Sequence, residues 1–249
     1  MPRHTVSIFD SLLPMDAVVV EARSPEWWES GLLPEELRYV ARASDKRRRE
    51  FTAGRNCARA ALARLGWPSA AIVVGPDRQP IFPSTVCGSI THTSGYCAAA
   101  VIQKDEVHSI GIDAEFDMPM EDAVARMIMI PQELAKWYAH GYPSHAEVLV
   151  FSLKEAFYKA AFPFCRRHIG FKEVVVHPAG QHAHIELVSP RLADELTGLH
   201  IVARVGRDGQ RIYCAVFLID RLRNVKWDAD IRTSGNCQDT FSPTAILDT

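Results

Sequence analysis

The segment GIDAEFD at 111–117 carries two acids, Asp113 and Glu115, two positions apart. On a β-strand, alternate residues share a face, so both carboxylates project together at or just past the strand's end. Adjacent carboxylates repel, and a hard divalent cation relieves that repulsion. A third acid, Glu155 in FSLKEAFYKA at 151–160, would complete an oxygen-rich site of the kind Mg²⁺ takes, with water and phosphate oxygens filling the octahedron. Lys154 and Lys159 flank Glu155, and ammonium groups beside a metal carboxylate are the counter-charge a diphosphate needs. Read without chemistry, Asp113 and Glu115 are a solvated strand end. Glu155 and Lys159 are then a surface i,i+4 pair contributing roughly 0.3–0.5 kcal/mol.

Other segments offer anion contacts. CGSITHTSGYC places Ser89, Thr91, His92 and Ser94 near a turn between apolar strands, where hydroxyls, backbone N–H groups and an imidazole together suit a phosphate. The rival chemistry is a Ser–His hydrolase, although no GxSxG elbow is present. In KRRREFTAGRNCAR, Arg48 and Arg55 share a helix face and Arg47 sits about 80° from Arg55. That pattern fits either a solvated basic face or a phosphomonoester grip. His182 and His184 share a strand face but have no third metal ligand nearby. Neither GxxxxGK[ST] nor GxGxxG occurs, which excludes the P-loop and Rossmann modes.

The elements that must position these residues follow from periodicity. A strand is expected in 16–23 and one or two helices over 32–66, ending at Gly66 and Pro68. Short strands are expected at AIVVG, GSITHT, YCAAAVIQ and SIGIDAEF, then loose helix over 120–140. In the helix holding Glu155, Leu149, Val150, Leu153, Ala156, Phe157, Ala160 and Ala161 form one apolar arc opposite Ser152, Lys154, Glu155, Tyr158 and Lys159. Strands at FKEVVVH, HAHIELV, LHIVARV and RIYCAVFLID follow. This order implies an α+β protein of two similar lobes, 1–108 and 109–223, each a small antiparallel sheet with a long helix, then a poorly ordered tail over 224–249. No repeat is evident in the residues themselves.

Composition bounds the function. A formal net charge of −2 argues against a general nucleic-acid binder despite KRRR at 46–49, and 47% hydrophobic residues with 23% charged residues is globular composition. Six cysteines lack CxxC spacing, so reduced thiols are expected rather than a structural metal. Asp10 and Asp16 interrupt the N-terminal apolar stretches, making a poor signal peptide, and no run of 18 apolar residues spans a membrane. A cytoplasmic location is expected. Met118, Met120, Met127 and Met129 crowd one short stretch, either as core or as a partner surface.

Four segments, GRNCARAAL, GPDRQPIFP with GSITH, GIDAE and FSLKEAFYKA, occur in this order and together resemble the 4′-phosphopantetheinyl transferases of the Sfp-like, EntD-related subfamily. The resemblance covers roughly 45–175 and implies a monomer of two pseudo-symmetric lobes that binds coenzyme A and Mg²⁺, or Mn²⁺ in its place, between them. The implied activity is transfer of phosphopantetheine to a serine of an acyl or peptidyl carrier protein in polyketide, nonribosomal peptide, siderophore or fatty acid synthesis. The rival readings are a coenzyme A-binding regulator without catalysis and the hydrolase. The resemblance assigns Asp113, Glu115 and Glu155 to the metal, and Glu155, Lys159 and His92 to catalysis. It assigns Lys154, Lys159, His92, Ser89 and Thr91 to the coenzyme A phosphates and Arg47 and Arg55 to its 3′-phosphate. Arg78 stands where the family often has lysine, and Lys-Glu-Ala stands where Lys-Glu-Ser is common. In the family, the methionine-rich segment adjoins the active-site mouth that receives the carrier.

Overall fold

The computed structural model of the chain describes residues 6–141 and 145–221; the tail expected over 224–249, and Cys237 with it, lie outside the described residues. The elements are α1 (Ile8–Leu12), β1 (Val18–Glu21), α2 (Glu26–Glu29), α3 (Pro34–Leu37), α4 (Asp45–Arg64), β2 (Val86–Thr93), β3 (Tyr96–Gln103) and β4 (Val107–Phe116), followed by α5 (Asp122–Ile128), α6 (Pro131–Ala139), α7 (Ala146–Cys165), β5 (Val174–Ala179), β6 (His182–Leu187), α8 (Pro190–Glu195), β7 (Leu199–Arg207) and β8 (Arg211–Asp220). Two antiparallel sheets result, one ordered β1-β3-β2 and one β4-β8-β7-β6-β5, so in each the first strand lies beside the last. The strand expected at AIVVG is reduced to an isolated bridge between Val74 and Pro80.

Each sheet covers one long helix. Ser44 caps α4 by accepting a hydrogen bond from Arg47 N at 3.3 Å, and Ala53, Cys57, Ala58 and Ala61 bury that helix against β1 and β3. The apolar arc of α7 is buried as its periodicity predicts, against β4 and β8. Gly111 permits this approach: a Cβ there would lie 1.9 Å from Ala156 O. Between the sheets, Ala98 and Ala100 of β3 meet Ile110, Ile112 and Ala114 of β4 and Ala215 and Phe217 of β8 in one shared core. The lobes are therefore joined by packed strands, and α1 packs on β7 and β8 of the second sheet although its residues precede the first.

A repeat hidden in the sequence becomes visible here. Leu33-Pro34-Glu35-Glu36-Leu37 and Ile130-Pro131-Gln132-Glu133-Leu134 each open a short helix, with the glutamate accepting from the backbone N–H three residues before it at 3.0 and 3.4 Å. Both glutamates are buried. Glu36 also accepts from Ile72 N at 2.9 Å and pairs with Arg59 of α4; Glu133 accepts from Val176 N at 2.7 Å and pairs with Lys154 of α7. The two lobes thus share one device, a capping carboxylate that ties a short helix, a long helix and an extended segment together. Three identical residues, Pro, Glu and Leu, at a 97-residue offset are too few to register as periodicity.

Among the described residues, no helix is long and apolar enough to cross a membrane. Cys57, Cys87, Cys97 and Cys214 are buried free thiols, and Cys165 is half-buried.

Candidate active site

β2 of the first sheet delivers its hydroxyls to the open edge of β4. Ser89 Oγ accepts from Ile112 N at 3.0 Å, and Thr91 Oγ1 accepts from Ala114 N at 3.0 Å while donating to Asp113 Oδ1 at 3.1 Å. Thr93 Oγ1 donates to Glu115 Oε2 at 3.1 Å. These alternate residues form a ladder that satisfies an edge strand and orients both acids, each bond contributing a net of about 1 kcal/mol. Ser89 and Thr91 are buried at 3% and 1% exposure, so the expectation that they contact a phosphate is corrected: their hydroxyls are committed to the joint between lobes. Three residues separate Ser89 from His92, which places them on opposite faces of β2 and removes the hydrolase reading.

Asp113 Oδ1 also accepts from Lys159 Nζ at 2.7 Å, and the same ammonium donates to Ile112 O at 3.0 Å. Asp113 Oδ2 is buried with no hydrogen-bond partner. Burial, then the Asp113 carboxylate, pushes Glu115 up to about 7. Burial also raises Glu155, with Asp113 adding to it and Lys159 opposing. Three acids within electrostatic reach, one with an orphaned oxygen, are the donor set a hard cation fits, and Mg²⁺ needs only one or two such carboxylates beside water and phosphate. Among the described residues, no three His, Cys, Asp or Glu side chains are already drawn into a metal cage.

Across from the acids, Arg47 Nη1 lies 3.2 Å from His92 Nε2. Because arginine only donates, Nε2 accepts, and the imidazole is neutral. Burial pushes its pKa down, against the pull of Glu50, whose Oε2 lies 3.9 Å from Nδ1. Arg55 is 6% exposed; its Nε donates to Ile72 O at 2.7 Å and its guanidinium lies 4.1 Å over the Phe51 ring. Burial lowers Arg55 to about 10, with Glu36 opposing and Arg47 and Arg59 adding repulsion. Glu50 Oε2 also lies 3.7 Å from Arg47 Nη1, so the cluster is basic with one carboxylate at its edge.

Lys154 is placed otherwise than expected. It is 2% exposed and its Nζ donates to Glu133 at 2.9 Å, Ile128 O at 3.0 Å and Phe171 O at 3.0 Å. All three protons are thereby used, and a phosphate contact by Lys154 is corrected to a structural ion pair. Arg78 stands exposed in the turn 75–80 at φ 67°, and its neighbour Asp77 raises Tyr158 of α7 after burial and Glu155, so this turn borders the α7 side of the site. A cavity of about 160 Å³ opens beside Glu155, lined by Phe157, Tyr158, His168, Ile169 and Phe171. His182 and His184 fall on the distant β5–β6 hairpin, where His184 stacks on His177. Met118 and Met127 are exposed at 58% and 72%, Met120 is partly buried, and Met129 is core. Thr93, Glu36 and Gly111 went unnoticed in the sequence; only the paired LPEEL and IPQEL segments could have signalled Glu36.

Residues 35–102 match the 4′-phosphopantetheinyl transferase N-terminal domain, and 109–212 match the 4′-phosphopantetheinyl transferase superfamily. The chain is 41% identical over 168 residues to 4′-phosphopantetheinyl transferase Svp of Streptomyces mobaraensis, covering 66% of this chain and 68% of that one. It is 43% identical over 140 residues to 4′-phosphopantetheinyl transferase Npt of Nocardia iowensis, covering 56% and 63%. Enterobactin synthase component D of Escherichia coli K12 is 36% identical over 122 residues, covering 48% and 57%. The matched stretch thus spans between 57% and 68% of these relatives' lengths.

Proposed function

The chain belongs to the 4′-phosphopantetheinyl transferase family, and from that premise we propose that it moves the phosphopantetheine arm of coenzyme A to a serine of an acyl or peptidyl carrier protein. The observation that carries this reading is the opposition of two charge clusters across the β2–β4 joint. Asp113, Glu115 and Glu155 lie on one side, and the cations Arg47 and Arg55, with the neutral His92 beside them, on the other. A regulator that only bound coenzyme A would have little need for three repelling acids.

Arg47, Arg55 and His92 would take the 3′-phosphate, relieving the like-charge crowding at Arg55. The cavity beside Glu155 suits the pantetheine arm, its lining combining Phe157, Ile169, Phe171 and Val174 with the polar Lys154, Tyr158 and His168. Asp113, Glu115 and Glu155 would hold Mg²⁺ or Mn²⁺, which when bound neutralises the diphosphate and polarises it as a Lewis acid. The carrier serine oxygen bonds to the β-phosphorus, the diphosphate P–O bond breaks, and 3′,5′-ADP leaves with the electron pair. Glu155, its pKa raised by burial, accepts the serine proton. Lys159, 27% exposed, supplies positive charge against the leaving group. We place this activity in a cytoplasmic monomer, with the exposed Met118 and Met127 beside the mouth receiving the carrier.

The test is to incubate the protein with apo carrier domain, coenzyme A and Mg²⁺ and weigh the carrier. Addition of one phosphopantetheine is expected. Binding of coenzyme A without any addition, across several carriers, returns the regulator reading.

A further inference from the structure

The repeated capping carboxylates differ in what lies beyond them. In the second lobe, Val176, whose N–H binds Glu133, presents its own carbonyl to Trp137 Nε1 at 3.0 Å, inside the core. In the first lobe, the peptide segment whose N–H binds Glu36 presents Ile72 O to Arg55 Nε at 2.7 Å. One device therefore ends in a buried indole and the other in a cation of the basic cluster.

We propose that Glu36 is a positioning residue for anion recognition, fixing Ile72 so that its carbonyl orients the Arg55 guanidinium beside Arg47 and His92. The proposal rests on the reading that Arg55 takes the 3′-phosphate. Glu36 is fully buried, and its carboxylate accepts from Leu33 N, Ile72 N and Arg59, leaving little freedom at residue 72. Arg55 and Arg59 stand i,i+4 on α4, so the same carboxylate neutralises Arg59 and offsets its repulsion of Arg55. With Nε held by Ile72 O and the plane held over Phe51, the two terminal nitrogens of Arg55 are the donors left for a bidentate grip. A fork aimed in advance loses less on binding than a free side chain. Glu36 sits 19 residues from Arg55 in sequence, and Ile72 and Arg59 connect them.

The experiment measures steady-state transfer with coenzyme A and with 3′-dephospho-coenzyme A for the full chain and for Glu36→Gln, Glu133→Gln and Arg55→Ala, alongside melting temperatures. Glu36→Gln is expected to raise KM for coenzyme A about five- to tenfold and KM for the dephospho substrate less than about twofold, with kcat nearly constant. Glu133→Gln, which disturbs the matching device in the other lobe, is expected to lower the melting temperature without changing the ratio of the two KM values. Should Glu36→Gln fail to fold, Glu36→Asp, which keeps the charge but shortens the reach to Ile72 N, reads the same ratio. A KM ratio that moves for Arg55→Ala but not for either Glu36 variant overturns the positioning role alone. A ratio unmoved by Arg55→Ala overturns the 3′-phosphate reading and the positioning role with it. An equal shift of the ratio in Glu133→Gln shows that both glutamates act only through stability.

Discussion

Gly111→Ala adds one methyl group where the structure has no room for it. Its Cβ would lie 1.9 Å from Ala156 O and 2.7 Å from Ala160 N, whereas ordinary contact begins at 3.4 Å. Both obstacles are backbone atoms of α7, so no rotamer change relieves the clash; the helix must retreat from β4 by about 1.5 Å. Lys159 on that helix reaches Asp113 Oδ1 at 2.7 Å and Ile112 O at 3.0 Å, and a retreat of that size takes both beyond hydrogen-bond range. Glu155, one turn earlier, moves with it. Overpacking of this kind costs about 1–3 kcal/mol, which for a chain of this length lowers the melting temperature by roughly 2–12 °C. Misplacing a reacting group by about 1 Å can cost 10²-fold in rate. Carrier loading followed by mass spectrometry, at a temperature well below the variant's melting point, separates the two effects. A variant that melts within about 2 °C of the parent and loads carrier at the parent rate refutes the argument that Gly111 sets the distance between α7 and the acids.

Asp113→Ala and Glu155→Gln are each expected to reduce turnover by orders of magnitude while the protein stays folded, and chelator to abolish activity reversibly; full turnover in excess chelator excludes the metal. Lys154→Met leaves Glu133 buried without its cation, so stability should fall by about 3–5 kcal/mol in denaturant titrations, while KM for coenzyme A stays near the parent value. A selective rise in that KM with unchanged stability would return Lys154 to the phosphates. In the loop walling the cavity, hydrogen bonds from Arg167 hold Glu173 down to about 2 from an ordinary 4.5. Because the folded value is depressed, this contribution is complete above about pH 4.5 and disappears as pH falls towards 2. The melting-temperature gap between the parent and Arg167→Met should therefore shrink on acidification from pH 5 to about 3, and a constant gap contradicts the linkage.

What the residues determined by themselves was local: Asp113 and Glu115 share a face because strand periodicity requires it, and the arc from Leu149 to Ala161 is buried because helical periodicity aligns it. Ordered short motifs likewise pointed to the family, since each is a contiguous stretch. Tertiary structure decided whatever depends on partners distant in the chain. Lys154 and Lys159 look equivalent in FSLKEAFYKA, yet Glu133 meets the first inside the core and Asp113 meets the second at the site. Ser89 and Thr91 were legible as phosphate donors only until the edge of β4 claimed their hydroxyls. The likeness of the lobes was hidden because it resides in two glutamates and the peptides they bind, 36 and 43 residues away. A hydrogen bond between distant segments imposes no period on the sequence, so only the folded chain brings such residues together.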